Sequence, residues 1–191
     1  MRFARTLSPR LAATICLTVT APAFASDGLE ALAQPGRVLM LRHANAPGYG
    51  DPPGFRIGDC RTQRNLDERG RAQARATGER LRALGIREAR VYSSQWCRAL
   101  ETGRLLGLGE ERELPALNSF FQGHAEREST LATLRDFLAW QTADGPPLIL
   151  VTHQVVINAF AEEVPASGGG SIFELDGTGG LRWITATRPV R

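Results

Sequence analysis

Two stretches of this chain, Gly36 to Leu41 and Pro147 to Val151, are almost wholly apolar and too short for a confident helix. Segments of that length and character read as strands buried on both faces, which requires other elements to cover each side of their sheet. The intervening sequence supplies those elements. Asp67 is placed to cap a helix running to about Leu84 and stopped by Gly85. Ala89 to Ser93 reads as a further strand, and Trp96 to about Leu106 as a helix entered through Ser93-Ser94. A short strand is expected from Glu113 to Leu117, then an irregular Phe120-Phe121-Gln122-Gly123 segment. Leu131, Leu134 and Leu138 recur at helical spacing between Glu126 and Trp140. A helix is expected from Gln154 to Glu162. Ser171 to Leu175 and Leu181 to Thr187 flank Asp176-Gly177-Thr178-Gly179-Gly180, a hairpin signal. Strands alternating with helices predict an α/β fold: a three-layer α/β/α sandwich with a mainly parallel sheet, ending in a C-terminal β-hairpin.

The 191 residues are enough for one domain and too few for two full ones. The first 25 stand apart. Arg2, Arg5 and Arg10 precede an apolar run from Leu11 to Ala21, and Ala23-Phe24-Ala25 offers small residues at a cleavage site. That pattern reads as a signal peptide over residues 1–25, leaving a single domain over 26–191. The run falls short of the roughly 20 residues that a bilayer span needs, so stable membrane insertion after cleavage is not expected. Cleavage removes three arginines and no acid, leaving 20 arginines against 20 acidic residues. A formally neutral chain gives no support for nucleic-acid binding. Lysine is absent throughout, so any phosphate-binding cation must be a guanidinium fork.

Export sets the frame for Cys60 and Cys97, which survive processing and form a candidate disulfide in a periplasmic or secreted protein. A cysteine-phosphatase loop is a weaker reading, because it needs an arginine six residues after the cysteine. Those positions hold Leu66 and Gly103.

Three histidines occur in the chain, and His43 and His153 each follow one of the two apolar strands. Ligands of parallel sheets bind beyond the carboxyl ends of the strands. His43, the Ser94 to Arg98 turn and His153 therefore belong together. Arg42 and Arg98 add what phosphoryl transfer requires, since the transferring group spreads charge over three oxygens and catalysis rests on positioning and electrostatics. The loop from Ala46 to Asn65 carries Arg56, Arg61 and Arg64, of which Arg61 and Arg64 are candidate substrate-binding residues; surface salt bridging would account for these arginines equally. A Cys60–Cys97 bond would pin this loop beside Arg98.

Three motifs carry a family resemblance: Leu41-Arg42-His43-Ala44, Ser93-Ser94-Gln95-Trp96-Cys97-Arg98-Ala99-Leu100-Glu101-Thr102, and Val151-Thr152-His153. In this order, with Asp67-Glu68-Arg69-Gly70 opening the first long helix, the chain resembles the histidine phosphatase superfamily, also called phosphoglycerate mutase-like. The resemblance implies that His43 is a phosphohistidine nucleophile, that Arg42 and Arg98 bind the phosphoryl group, and that His153 hydrogen-bonds it. It implies a small phosphorylated substrate and neither metal nor cofactor; His-x-x-x-His and paired-cysteine spacings are absent.

The sequence departs from the family pattern in two ways. Ala44 stands where glycine is usual. More seriously, Ala116, Leu117, Asn118 and Ser119 stand where many members supply a glutamate as general acid, and Gln154 where another branch has aspartate. Glu126, Glu128 and His124 are the remaining candidates, and the acid is left unassigned. The leading expectation is an exported phosphomonoesterase for a small sugar phosphate, closest in character to envelope phosphatases acting on lipopolysaccharide core heptose phosphate. A protein phosphohistidine phosphatase and a phosphate-binding module without turnover are the alternatives.

Overall fold

The structure, a computed structural model, describes residues 26–190. The expected signal peptide lies outside the described residues. Six strands form one sheet: Arg37–Arg42 (β1), Arg90–Ser93 (β2), Glu111–Glu113 (β3), Leu148–Thr152 (β4), Gly170–Leu175 (β5) and Leu181–Thr187 (β6). Their spatial order is β3-β2-β4-β1-β5-β6. The first four in that order run parallel, and β5 and β6 pair antiparallel as the terminal hairpin. The helices are Glu68–Ala83 (α1), Cys97–Leu106 (α2), Arg127–Ala139 (α3) and Gln154–Ile157 (α4).

Both faces of the sheet are covered, as the apolar strands require. Successive side chains of a strand point to opposite faces. Leu39 and Leu41 of β1 pack with Leu81 of α1 and with Ala99 and Leu106 of α2. Val38 and Met40 pack with Leu134 and Leu138 of α3 and with Val156 and Ile157 of α4. Each fully buried aliphatic side chain contributes about 1.5–3 kcal/mol, and β1 places four of them in succession.

Two elements differ from the sequence expectation. The strand expected at Glu113 to Leu117 lies earlier, because Pro115 has no N–H for a ladder and opens a short 3-10 turn through Leu117. The helix expected to reach Glu162 ends at Ile157. Val155, Val156 and Ile157 are all β-branched and support a long helix poorly. Among the described residues, no helix is long and apolar enough to cross a membrane.

Candidate active site

The register of the central strands decides where the site forms. Arg42 of β1 is the parallel partner of Thr152 of β4, so the next residues, His43 and His153, leave neighbouring strands side by side. Their rings lie 5.4 Å apart, and the His43 backbone N–H donates to the Thr152 carbonyl at 3.0 Å. β2 lies on the other side of β4 and delivers the turn into α2, which places Arg98 in the first helical turn. The loop after His43 is held close to α1: a Cβ at Gly70 would meet the Asn45 carbonyl oxygen at 2.1 Å.

Hydrogen bonding fixes the chemistry of His43. Its Nδ1 lies 2.8 Å from the Ala44 carbonyl oxygen, which can only accept, so Nδ1 carries the proton and Nε2 the lone pair. Arg98 Nε donates to that Nε2 at 3.1 Å. Burial, then the Arg98 charge, push the His43 imidazole down to about 3. The ring is therefore neutral at neutral pH, the form in which it can act as a nucleophile. His153 is held well below its usual value by burial, then by His43 and Arg98. Its Nε2 lies 2.7 Å from Ser94 Oγ, which also accepts the Trp96 backbone N–H.

Both arginines face this pair. Arg42 donates through Nη1 to the Pro165 carbonyl at 2.8 Å, while its Nε is buried without a partner. Arg98 is gripped by Asp51, with Nη1 to Oδ1 at 2.6 Å and Nη2 to Oδ2 at 3.4 Å. The two side chains are 4% and 3% exposed, so the pair is desolvated. Trp96 Nε1 donates to Asp51 Oδ2 at 2.9 Å. Burial alone would raise the Asp51 carboxyl, but hydrogen bonds from Arg98 and Trp96 outweigh it and hold the group below the usual carboxylate range. Asp51 is thus an anion that orients Arg98.

These groups line a pocket of about 150 Å³, together with Gly48, Tyr49, Gly50, Arg64, Ser119, Phe121, Gln154 and Val155. Larger hollows of about 600 and 1460 Å³ lie elsewhere and contain neither imidazole. Among the described residues, no group of three His, Cys, Asp or Glu side chains is arranged to hold a metal ion.

A family model described as histidine phosphatase superfamily (branch 1) matches residues 38–146, more than half of the chain. The chain belongs to the histidine phosphatase superfamily. His43, Arg42 and Arg98 fall inside the matched span, and His153 lies just beyond it. An uncharacterised protein of Picosynechococcus is 31% identical over 121 residues, which is 62% of this chain and 72% of that protein. The serine/threonine-protein phosphatase Pgam5 of Drosophila virilis is 38% identical over 69 residues, 36% of this chain but only 21% of that protein. Among solved structures, the protein histidine phosphatase SixA complexed with tungstate superposes with a TM-score of 0.56 at 20% identity, over 80% of this chain and 97% of that one. A mycobacterial glucosyl-3-phosphoglycerate phosphatase superposes at 0.57 with 17% identity, over 83% and 100%. At those identities the likeness is one of fold.

Within this histidine phosphatase, the other sequence candidates divide. Arg64 reaches the pocket, but its Nε and Nη1 are occupied by carbonyls of the Ala46–Gly50 turn, including Gly48 O at 3.0 Å. It shapes the pocket wall. Arg61 lies outside the pocket, with its side chain 90% exposed and bonded to Asp59 at 3.0 Å; Arg56 pairs with the same aspartate. Short-range pairing with Asp59 draws both arginines away from the substrate position expected of Arg61. Cys60 and Cys97 are bonded, with Cα atoms 5.7 Å apart, joining the loop to α2 one residue before Arg98. Glu126 caps α3 through the N–H groups of Glu128 and Ser129, and Glu128 is exposed beside Arg127. His124 comes nearer, its Nε2 3.8 Å from Asp51 Oδ2. Asp51 itself was absent from the sequence candidates. Its signal was faint: one acidic residue between His43 and Cys60 other than Asp59, in a Gly-Asp-Pro-Pro turn that reads as ordinary loop chemistry.

Proposed function

We propose that this chain is an exported phosphomonoesterase that passes the phosphoryl group of a small substrate to His43 and then to water. The observation that carries the reading is the neutral His43 imidazole, with its lone pair on Nε2, between two guanidinium groups in a phosphate-sized pocket. In the first step Nε2 attacks phosphorus in line as the ester P–O bond breaks and the electron pair leaves on the alcohol oxygen, which takes its proton from water. Arg98 Nε–H moves from Nε2 to a phosphoryl oxygen, which frees the lone pair and follows the charge. Arg42, which also lines the pocket, supplies a second guanidinium. In the His153 tautomer that carries its proton on Nδ1, Ser94 Oγ–H donates to Nε2 and the Nδ1 proton serves a third oxygen. Water then attacks phosphorus, the P–N bond breaks, and neutral His43 is restored. No step is assigned to a metal or cofactor.

The substrate proposed is a small sugar phosphate, with a lipopolysaccharide core heptose phosphate fitting the exported setting. One observation favours a second reading. Asp51 is held as an anion, so the pocket's single carboxyl group cannot serve as the acid for an alkoxide. A phosphoramidate leaves more readily, which suits a protein phosphohistidine phosphatase. General acid catalysis is worth roughly 10²- to 10⁴-fold, so esters of weakly basic alcohols are expected to react fastest in either case.

The test is to incubate the mature protein with an activated aryl phosphate, quench at alkaline pH, where phosphohistidine survives, and look for phosphate on His43. A trapped phosphoenzyme and turnover abolished by His43→Ala are expected. Tight phosphate binding without turnover would replace the enzyme with a binding module.

A further inference from the structure

Beyond the phosphoryl position, the pocket wall changes character. Arg42 and Arg98 line the pocket beside His43, Asp51 is neutralised by Arg98, and Arg64 holds loop carbonyls. The remaining lining, formed by Tyr49, Phe121, Val155, Ser119, Gln154 and two glycines, carries no charge. Tyr49 and Phe121 stand edge to face with ring centroids 5.4 Å apart. Tyr49 is 88% exposed, so its ring is open to a ligand on the face that Phe121 does not cover.

The backbone that bears the ring is fixed on both sides. Tyr49 is flanked by Gly48 and Gly50, both at positive φ, so the backbone turns on either side and presents the side chain outward. Gln122 donates no mobility here: its Oε1 accepts the Asp51 N–H at 2.7 Å, and its amide lies within 3.1 Å of where a Gly50 Cβ would be. Gln122 is itself at φ 60, the only non-glycine residue with positive φ among those described. Such conformations persist where the surroundings over-determine them, and they cluster at ligand clamps. The segment bearing Tyr49 and the segment bearing Phe121 are therefore clasped together over the pocket mouth.

We propose that Tyr49 and Phe121 form a platform for the leaving group, and that it selects phosphate monoesters whose alcohol is a neutral ring. This deepens the proposed phosphomonoesterase reading and rests on it. An aromatic face takes the apolar face of a sugar or an aryl ring, while the one further guanidinium of the wall, Arg64, has its Nε and Nη1 turned to loop carbonyls and away from the carboxylate of phosphoglycerate, and no wall carboxylate is left for the ammonium of phosphoserine. Burying such an ion without a partner opposes binding.

The experiment compares esters of primary alcohols, so that leaving-group basicity is nearly matched: benzyl phosphate and a hexose phosphate against glycerol phosphate, phosphoserine and phosphoglycerate. The two ring esters are expected to exceed the three acyclic ones in kcat/KM by about tenfold or more, chiefly through KM. Tyr49→Ala is expected to collapse that ratio by about five- to tenfold, the scale of one ring–ring contact, and Tyr49→Phe to retain it. A larger effect on the hexose ester identifies a sugar subsite, and a larger effect on the benzyl ester an aryl one; both support the platform. Preference for phosphoserine or phosphoglycerate, or a ratio unmoved by Tyr49→Ala, overturns it. If no monoester is turned over, the phosphatase reading fails, and the same ratios measured as dissociation constants by calorimetry decide the platform separately.

Discussion

Arg98 holds two contacts that pull in different directions: Nε rests on the nucleophile, and both Nη atoms are held by Asp51. Substrate needs the first contact released and the second kept. Arg98→Ala is expected to lower turnover of an aryl phosphate by at least about 10²-fold, the scale of one preorganised donor; a loss under threefold would contradict this placement. Asp51→Ala tests the other half. Removing one partner of a buried ion pair costs roughly 3–5 kcal/mol, so this variant should melt well below the parent, while Asp51→Asn loses the same charge but keeps the side-chain volume and an acceptor for Trp96 and should melt between the two. In Asp51→Asn the guanidinium loses its anchor, and kcat is expected to fall more than KM rises. His43, Arg98 and His153 were legible in the sequence because strand ends are marked by where an apolar run stops. Asp51 was not, because its importance comes from a bidentate contact across 47 residues of chain that no local pattern announces.

The loop before α1 has almost no regular structure of its own, so its shape depends on cross-links. Cys60–Cys97 ties it to α2, Gln63 Oε1 accepts the Cys97 N–H at 3.0 Å, and Arg64 gathers the carbonyls of the Tyr49 turn. Reduction, or the Cys60→Ser/Cys97→Ser double variant, is expected to cost about 2–4 kcal/mol in stability. The same change should weaken activity, since the loop carries Asp51 and Tyr49 while α2 carries Arg98. Thermal melts and kcat/KM with and without dithiothreitol check this; unchanged kinetics in a protein verified as reduced would show that the loop keeps its shape alone. The long elements were readable because Asp67 caps α1 and apolar spacing marks α3. The early end of α4 was not, since apolar spacing in Gln154 to Glu162 masks the poor helix propensity of Val155, Val156 and Ile157, and nothing local announces the Pro165 carbonyl that the chain must bring to Arg42.

At the scale of the whole molecule, the three-layer fold keeps two imidazoles uncharged inside it, and that links catalysis to acid stability. The unfolded chain binds protons on His43 and His153 near the ordinary histidine value of about 6.5. The folded chain does not, since His43 is pushed down to about 3 and His153 also lies well below its usual value. Where the unfolded state binds more protons, stability rises with pH, so it is complete above about 6.5 and falls as pH drops toward the folded values. Between pH 7 and 5 the loss amounts to about 2 kcal/mol for each imidazole that stays neutral. Asp51 adds a second loss lower down: its carboxyl is depressed, so its contribution is present above the usual carboxylate range and disappears below about 4. The melting temperature is therefore expected to fall by on the order of 10 °C from pH 7 to 5. His43→Asn should remove about half of that slope, because it deletes one of the two proton-linked sites. A melting temperature independent of pH over this interval would mean that both rings take up a proton in the native state, and a protonated His43 has no lone pair with which to attack phosphorus.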